Sequence, residues 1–224
     1  MRKTWLITTA TAVLAGALLA GLALGQNQNS PSAGAGNQAA KKFTIGDRIP
    51  APEREFTATD GKTYTMKELA GKKGLLVAIT CNECPYVIKW DERLVALARQ
   101  AKEMDFGVVM INPNDSRKSG ADTLPAMRKK AEKLDYGWPY VVDTDSRLAR
   151  ALSATRTPEI FLFDAKGRLA YHGAPDDNVQ NAEAVTKHYL KDALTAVAAG
   201  RPAPTQKTKA LGCTIKWNEA VSGL

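Results

Sequence analysis

An α/β fold is predicted: a sheet with helices on both faces, mostly parallel with an antiparallel edge. Three observations predict it. The run Leu75-Leu76-Val77-Ala78-Ile79-Thr80 is almost wholly apolar, as strands buried on both faces are. A helical stripe follows at once, with Val87, Trp90, Leu94, Leu97, Ala101 and Met104 recurring at spacings of three and four. Strands and helices then alternate until a hairpin and a last helix close the domain.

The first part of the chain reads as an addition to that domain. Arg2 and Lys3 precede an apolar stretch over 5–24 that holds no acid, and Ala23-Leu24-Gly25 resembles a small-x-small cleavage site. Residues 1–25 are therefore expected to be a signal peptide or, uncleaved, a membrane anchor. Either places the domain outside the cytoplasmic membrane, periplasmic or otherwise extracytoplasmic. Residues 26–42, rich in Asn, Gln, Ser, Gly and Ala, suit a flexible linker. The domain is expected over 43–200, and a tail over 201–224 carries Cys213. The formal charge of the 224 residues is +8. The basic residues are spread among acids, with no basic run interleaved with aromatics, so a solvated surface is expected and nucleic acid is not.

In chain order, residues 56–59 and 62–65 flank Asp60-Gly61, a hairpin signal. Residues 66–70 suit one helical turn. After the strand at 75–80, Pro85 falls in the first turn of the long helix, where its missing N–H costs nothing. Residues 106–111 form a second buried strand, 112–120 a loop, and 123–134 a helix with Pro125 in its first turn. A third strand at 140–142 and a short helix at 146–154 follow. Thr157-Pro158 precedes a strand at 159–163, and Ala165-Lys166-Gly167 turns the chain into its partner at 168–171. The last helix is expected over 182–199, with Val185, Tyr189, Leu190, Leu194 and Val197 inward and Gly200 as its stop.

Cys81-Asn82-Glu83-Cys84-Pro85 lies at the strand-to-helix junction. Two thiols at this spacing can form a disulfide, and helix N–H groups stabilise a thiolate. That is the machinery of thiol–disulfide exchange. Cys81 is expected to attack, as the sulfur nearer the open helix end, and Cys84, more buried, to resolve. Glu83 opposes thiolate formation by like charge and suggests a reducing couple, nearer about −270 mV than about −120 mV. Cys213 lies thirteen residues after Gly200. That stretch spans about 43–47 Å when extended, enough to bring a second resolving thiol to the site. The rival chemistry is metal: two cysteines with a histidine could hold copper or half a zinc site. His172 is the better placed histidine, with His188 on a polar helix edge. No cofactor and no resident metal are expected.

The Ile45-Gly46-Asp47 opening, Asp60-Gly61-Lys62, the run from Thr80 to Val87, Thr157-Pro158 before a Phe-rich strand, and Gly212-Cys213-Thr214-Ile215-Lys216-Trp217 carry a resemblance. The chain resembles the thioredoxin-like superfamily, in its redoxin or peroxiredoxin-like (alkyl hydroperoxide reductase/thiol-specific antioxidant) branch. The cysteine run is similar to a subgroup's Cys-Asn-x-Cys-Pro-Tyr-Val motif. The resemblance implies a central mixed sheet flanked by helices, with an N-terminal hairpin extension. It implies a cis Pro158 facing the cysteines and Thr157 backbone offered to a bound disulfide segment. It also implies exchange with protein thiols and disulfides, with peroxide reduction as the alternative. Three departures stand out. Thr80 replaces the usual aromatic, and Leu75 stands where thioredoxins carry a buried acid, leaving Glu83 and Glu159 as proton acceptors by position. Val77 and Cys81 occupy the Pro and Thr places of the peroxidatic motif. Arg156 is a candidate to support an anion or thiolate.

Overall fold

The computed structural model describes residues 42–219, so the leader and most of the linker predicted above lie outside the described residues. Strands β1 (Glu55–Thr57) and β2 (Thr63–Thr65) form the expected hairpin around Asp60-Gly61. Helix α1 (Met66–Leu69) begins at a capping box between Thr65 and Glu68. The central sheet contains β3 (Gly74–Ile79), β4 (Phe106–Asn112), β5 (Tyr140–Val142), β7 (Glu159–Asp164) and β8 (Leu169–Gly173). Helices α2 (Pro85–Glu103), α3 (Leu124–Lys133), α4 (Arg147–Ala151) and α5 (Tyr189–Ala198) complete the fold. The short strands β6 (Arg156–Thr157) and β9 (Cys213–Thr214) pair with each other, which no local pattern announces.

The sheet is mixed rather than mostly parallel. β4 runs parallel to β5, but β3 pairs antiparallel with β7 along its whole length and β7 antiparallel with β8. The short loop between α4 and β7 brings the chain back against β3 in reverse, and that is the physical source of the difference. Thr80 N–H donates to Ile111 C=O, holding the ends of β3 and β4 together. Ala58 bridges Val141, so the hairpin leans on the β5 edge.

β3 explains its own composition. Leu76 and Ala78 face one core with Leu94, Met110, Leu162, Leu190 and Leu194. Leu75, Val77 and Ile79 face a second, with Phe56, Ile111, Leu148, Phe161 and Phe163. Successive side chains of a strand point to opposite faces, so burial on both sides demands an unbroken apolar run. On α2, Val87, Trp90, Leu94 and Ala101 are buried as expected. The fully covered stripe passes through Val95 and Ala98, with Leu97 and Met104 at its margin.

The last helix is shorter than its pattern. Ala182–Ala184 is a 3-10 turn, the chain then extends, and α5 starts only at Tyr189. Asp177 is the reason: its carboxylate accepts the N–H groups of Thr186 and Lys187 and the Thr186 hydroxyl, so those amides are bound outside the helix. Val185 is consequently half-buried and lies off the helix, and His188 is the exposed cap residue. Gly200, at φ +71°, ends α5 as expected.

Asp143 gives the fold a pH dependence. It is fully buried, and beyond the Ala149 N–H its nearest charge is Arg54 at 3.6 Å. Burial pushes its pKa up to about 6. A carboxyl raised in the folded state adds stability that is complete below its unfolded value and lost as pH rises through the folded one. Unfolding free energy is therefore expected to fall by about 1 kcal/mol between pH 5 and pH 7. Denaturant titrations of the wild type and Asp143→Asn at both pH values check this: the variant should lose the slope, and an unchanged slope removes Asp143 as its source.

Candidate active site

Three elements bring the site together: the turn after β3, the start of α2, and the loop entering β7. The Thr157–Pro158 peptide is cis. Cys81 Sγ lies 3.2 Å from Thr157 Oγ1, and Cys84 Sγ lies 3.0 Å from the Thr157 carbonyl. Cys213, on β9, faces the same point. Its Sγ is 2.7 Å from Cys84 Sγ, and its N–H points at Cys84 Sγ from 3.4 Å. All three cysteines are free thiols.

The helix begins later than the spacing suggests. Cys84, not Cys81, is the N-cap residue, with ψ at 123° and Pro85 as the first helical residue. A residue before proline is steered out of the helical region, so Pro85 fixes the helix start immediately after Cys84. Cys84 is also no more buried than Cys81: both are covered, at 4% and 3% exposure. The two sulfurs share one charge. The Cys81 thiol lowers the Cys84 pKa first; the Cys213 thiol and the N–H groups of Val87 and Cys213 add to this against the effect of burial. Cys81 moves far up, through its contact with Cys84 and then through burial. Cys84 therefore carries the lower pKa of the pair. As a thiol, Cys84 donates to the Thr157 carbonyl.

Glu159 is almost fully buried, and its contacts are with the loop rather than with sulfur. One oxygen accepts the N–H groups of Thr155 (2.7 Å) and Arg156 (2.9 Å), and the other meets His172 Nε2 at 2.5 Å. It thus shapes the segment leading into Thr157-Pro158. His172, weighed above as a copper ligand, is committed to Glu159 and stacks on Phe161 with ring centroids 4.4 Å apart. Among the described residues, no group of three or more His, Cys, Asp or Glu side chains is arranged to hold a metal ion. Glu83 is exposed, with Ser119 Oγ at 3.4 Å. Arg156 is half-buried in β6 opposite Thr214; burial and the Cys84 sulfur push the Cys213 pKa up to about 11, and the charges of Lys216 and Arg156 offset this only in part.

The acid that organises the cysteine turn is Asp122, which local pattern does not single out. It is 2% exposed. Its oxygens accept the Asn82 N–H (2.8 Å) and the side-chain amides of Asn112 (2.9 Å) and Asn114 (2.8 Å). Burial raises its pKa, but the amides of Asn114, Asn82 and Asn112 outweigh that, and the net shift is downward. Its charge, not that of Glu83, is the acidic influence on Cys81. Asn82 is further held by Tyr140 OH, and Lys130, paired with Asp91, donates to the Cys81 carbonyl. Beside this turn a cleft of about 380 Å³ is lined by Asn82, Glu83, Ile88, Asp91, Lys130 and Leu134.

A mixed sheet flanked by helices, a C-x-x-C turn at a helix mouth and a cis-proline loop against both sulfurs define a thioredoxin-fold thiol–disulfide oxidoreductase. The chain belongs to the Redoxin family, whose family model matches residues 39–186. It is 30% identical over 139 residues to the thiol:disulfide interchange protein DsbE of Tatumella citrea, covering 61% of this chain and 68% of that protein. Two solved structures are similar along most of their length. A hypothetical protein of Sinorhizobium meliloti 1021 superimposes with a TM-score of 0.73 at 33% identity, over 80% of this chain and 97% of the other. An uncharacterized conserved protein of Geobacillus kaustophilus gives 0.72 at 31%, over 80% and 94%.

Proposed function

We propose that this protein exchanges disulfides with protein partners outside the cytoplasmic membrane, through Cys81 and Cys84. Cys84 attacks and Cys81 resolves, the reverse of the roles the spacing alone suggests. The observation that carries this is the setting of Cys84 Sγ, which the Cys213 N–H reaches at 3.4 Å and the Cys213 sulfur at 2.7 Å; the Cys84 pKa is lowered and that of Cys81 raised. Relatives that carry interchange activity in their name support the substrate class. Export rests on the pattern of residues 1–25. Among the described residues, no helix is long and apolar enough to cross a membrane.

Two experiments test this reading. In a disulfide-reduction assay, Cys84→Ser and the double variant Cys81→Ser/Cys213→Ser should each fall to the uncatalysed rate. The double variant Cys81→Ser/Cys213→Ser, which keeps only Cys84, should trap a mixed disulfide with a model substrate, and Cys84→Ser should trap none. Trapping by Cys84→Ser instead would return the attack to Cys81. A peroxide-consumption assay run alongside should be the slower of the two, since Val77 and Cys81 stand where the peroxidatic motif has Pro and Thr.

The same charge distribution sets the potential. A stabilised thiolate stabilises the reduced form, so the couple should be more oxidising than the reducing thioredoxin end near about −270 mV. The exposed Glu83 does not hold it there. Titration against glutathione buffers reads this directly, and a value at or below about −270 mV would overturn it.

A further inference from the structure

Cys213 takes no part in the exchange described so far, yet its sulfur is in contact with the reactive one. We propose that Cys213 is a second resolving thiol, held by the C-terminal tail so that Cys84 can form its disulfide with either Cys81 or Cys213. This rests on the reading of Cys84 as the attacking sulfur.

The contact is built by the backbone rather than by a chance rotamer. β9 pairs antiparallel with β6 in the register Thr157↔Cys213, which sets Cys213 opposite the residue preceding the cis proline. Gly212 makes that approach possible: a Cβ there would lie 2.1 Å from the Thr157 carbonyl oxygen, so no other residue lets the tail come so near. The segment beyond Cys213 is anchored independently. Ile215 is 4% exposed and belongs to the core beside Ile111 and Phe161. Lys216 N–H donates to Asn114 Oδ1 at 2.9 Å, and Lys216 C=O accepts from Asp115 N–H at 2.8 Å. The Arg150 guanidinium lies 4.5 Å over the Trp217 ring. The third thiol is thus a fixed part of the site.

Its exposure gives it a use. Cys81 and Cys84 are buried, whereas Cys213 is half-buried. A disulfide between Cys84 and Cys213 therefore presents a more exposed sulfur to a thiol reductant than the Cys81–Cys84 disulfide does.

The chemistry balances. The Cys84 thiolate attacks a substrate disulfide, forming a mixed disulfide and expelling one substrate thiolate, which takes up a proton. Cys213, giving up its proton, attacks Cys84 Sγ; the mixed disulfide breaks and the second substrate thiolate leaves and is protonated. The substrate has gained two electrons and two protons, and the enzyme holds a Cys84–Cys213 disulfide. When Cys81 resolves first, Cys213 can attack Cys84 of the Cys81–Cys84 disulfide and release Cys81, with no net change in oxidation state. A small thiol or dithiol donor, attacking at Cys213, restores all three thiols.

The test uses the full chain and oxidised glutathione as the disulfide, followed by alkylation and non-reducing peptide mapping. Cys81→Ser should yield a Cys84–Cys213 peptide. It should also retain at least tenfold less glutathione on Cys84 than Cys81→Ser/Cys213→Ser, because only the double variant lacks a resolving thiol. Equal glutathione adducts in the two variants, with no Cys84–Cys213 peptide, would end this proposal and leave the Cys81/Cys84 exchange standing. Failure of the double variant to take up glutathione, where Cys84→Ser does, would remove the assignment of Cys84 and this proposal together.

Discussion

Replacing Glu159 with leucine is expected to lower the unfolding free energy by about 3–5 kcal/mol, the cost of leaving one partner of a buried pair without the other. The carboxylate is 2% exposed and serves three groups at once: Thr155 N–H, Arg156 N–H and His172 Nε2. Leucine fills the volume but accepts from none of them. The two backbone donors lie immediately before Thr157, so the loss loosens the loop that touches both sulfurs. Urea unfolding followed by circular dichroism measures the stability. Disulfide-reduction rates in the absence of urea should fall with it, and more than the unfolded fraction accounts for. Glu159→Gln should recover part of both, since its amide oxygen can still accept both backbone N–H donors that one Glu159 oxygen accepts. Wild-type stability in Glu159→Leu would show that the loop is held by something else.

Asp122→Leu is the second large effect, and it reaches the cysteines from the opposite side. Three donors converge on this carboxylate, and each buried donor left without a partner costs about 1–3 kcal/mol. Because the three share one acceptor, their losses do not simply add, and a total of about 3 kcal/mol or more is expected. The Asp122 pKa is lowered in the fold, so its contribution to stability is present above the unfolded value and disappears as pH falls through the folded one. Wild type should therefore lose stability on acidification in this range more steeply than Asp122→Leu does. The functional readout is exchange rate: Asn82 N–H lies between the two cysteines in sequence, and releasing it should slow exchange at least tenfold. An unfolding curve and a rate that both match the wild type would exclude Asp122 as the anchor of the turn.

The two acids differ in how far the chain itself reveals them. Glu159 follows Thr157-Pro158 directly, so its neighbourhood could be read from position, although its work with His172 could not. Asp122 lies about forty residues after the cysteines, in a single 3-10 turn over Gly120–Asp122, and nothing near it in sequence distinguishes it from a solvated carboxylate. Its partners Asn82, Asn112 and Asn114 converge only when the β3 and β4 ends lie side by side. The same limit shows in the last helix. Apolar spacing carries the pattern back to 182, but Asp177 captures the amides of Thr186 and Lys187 and delays α5 to Tyr189. Such a competition between side chain and helix is invisible to periodicity.

The chain by itself determined the elements and the chemistry. An apolar run can be buried on both faces only as an inner strand, a stripe at spacings of three and four can pack only as a helix, and Cys-x-x-Cys followed by proline at their junction fixes two thiols at a helix mouth. Which thiol has the lower pKa depends on tertiary structure, because the groups that reach each sulfur, Thr157 and Cys213 among them, arrive only on folding. Tertiary structure also decided the place of Cys213, which local sequence leaves anywhere within reach of a flexible tail. The pairing of β9 with β6 brings it within 2.7 Å of Cys84. Contacts between residues far apart in the chain form only on folding, so these roles are properties of the fold rather than of any segment.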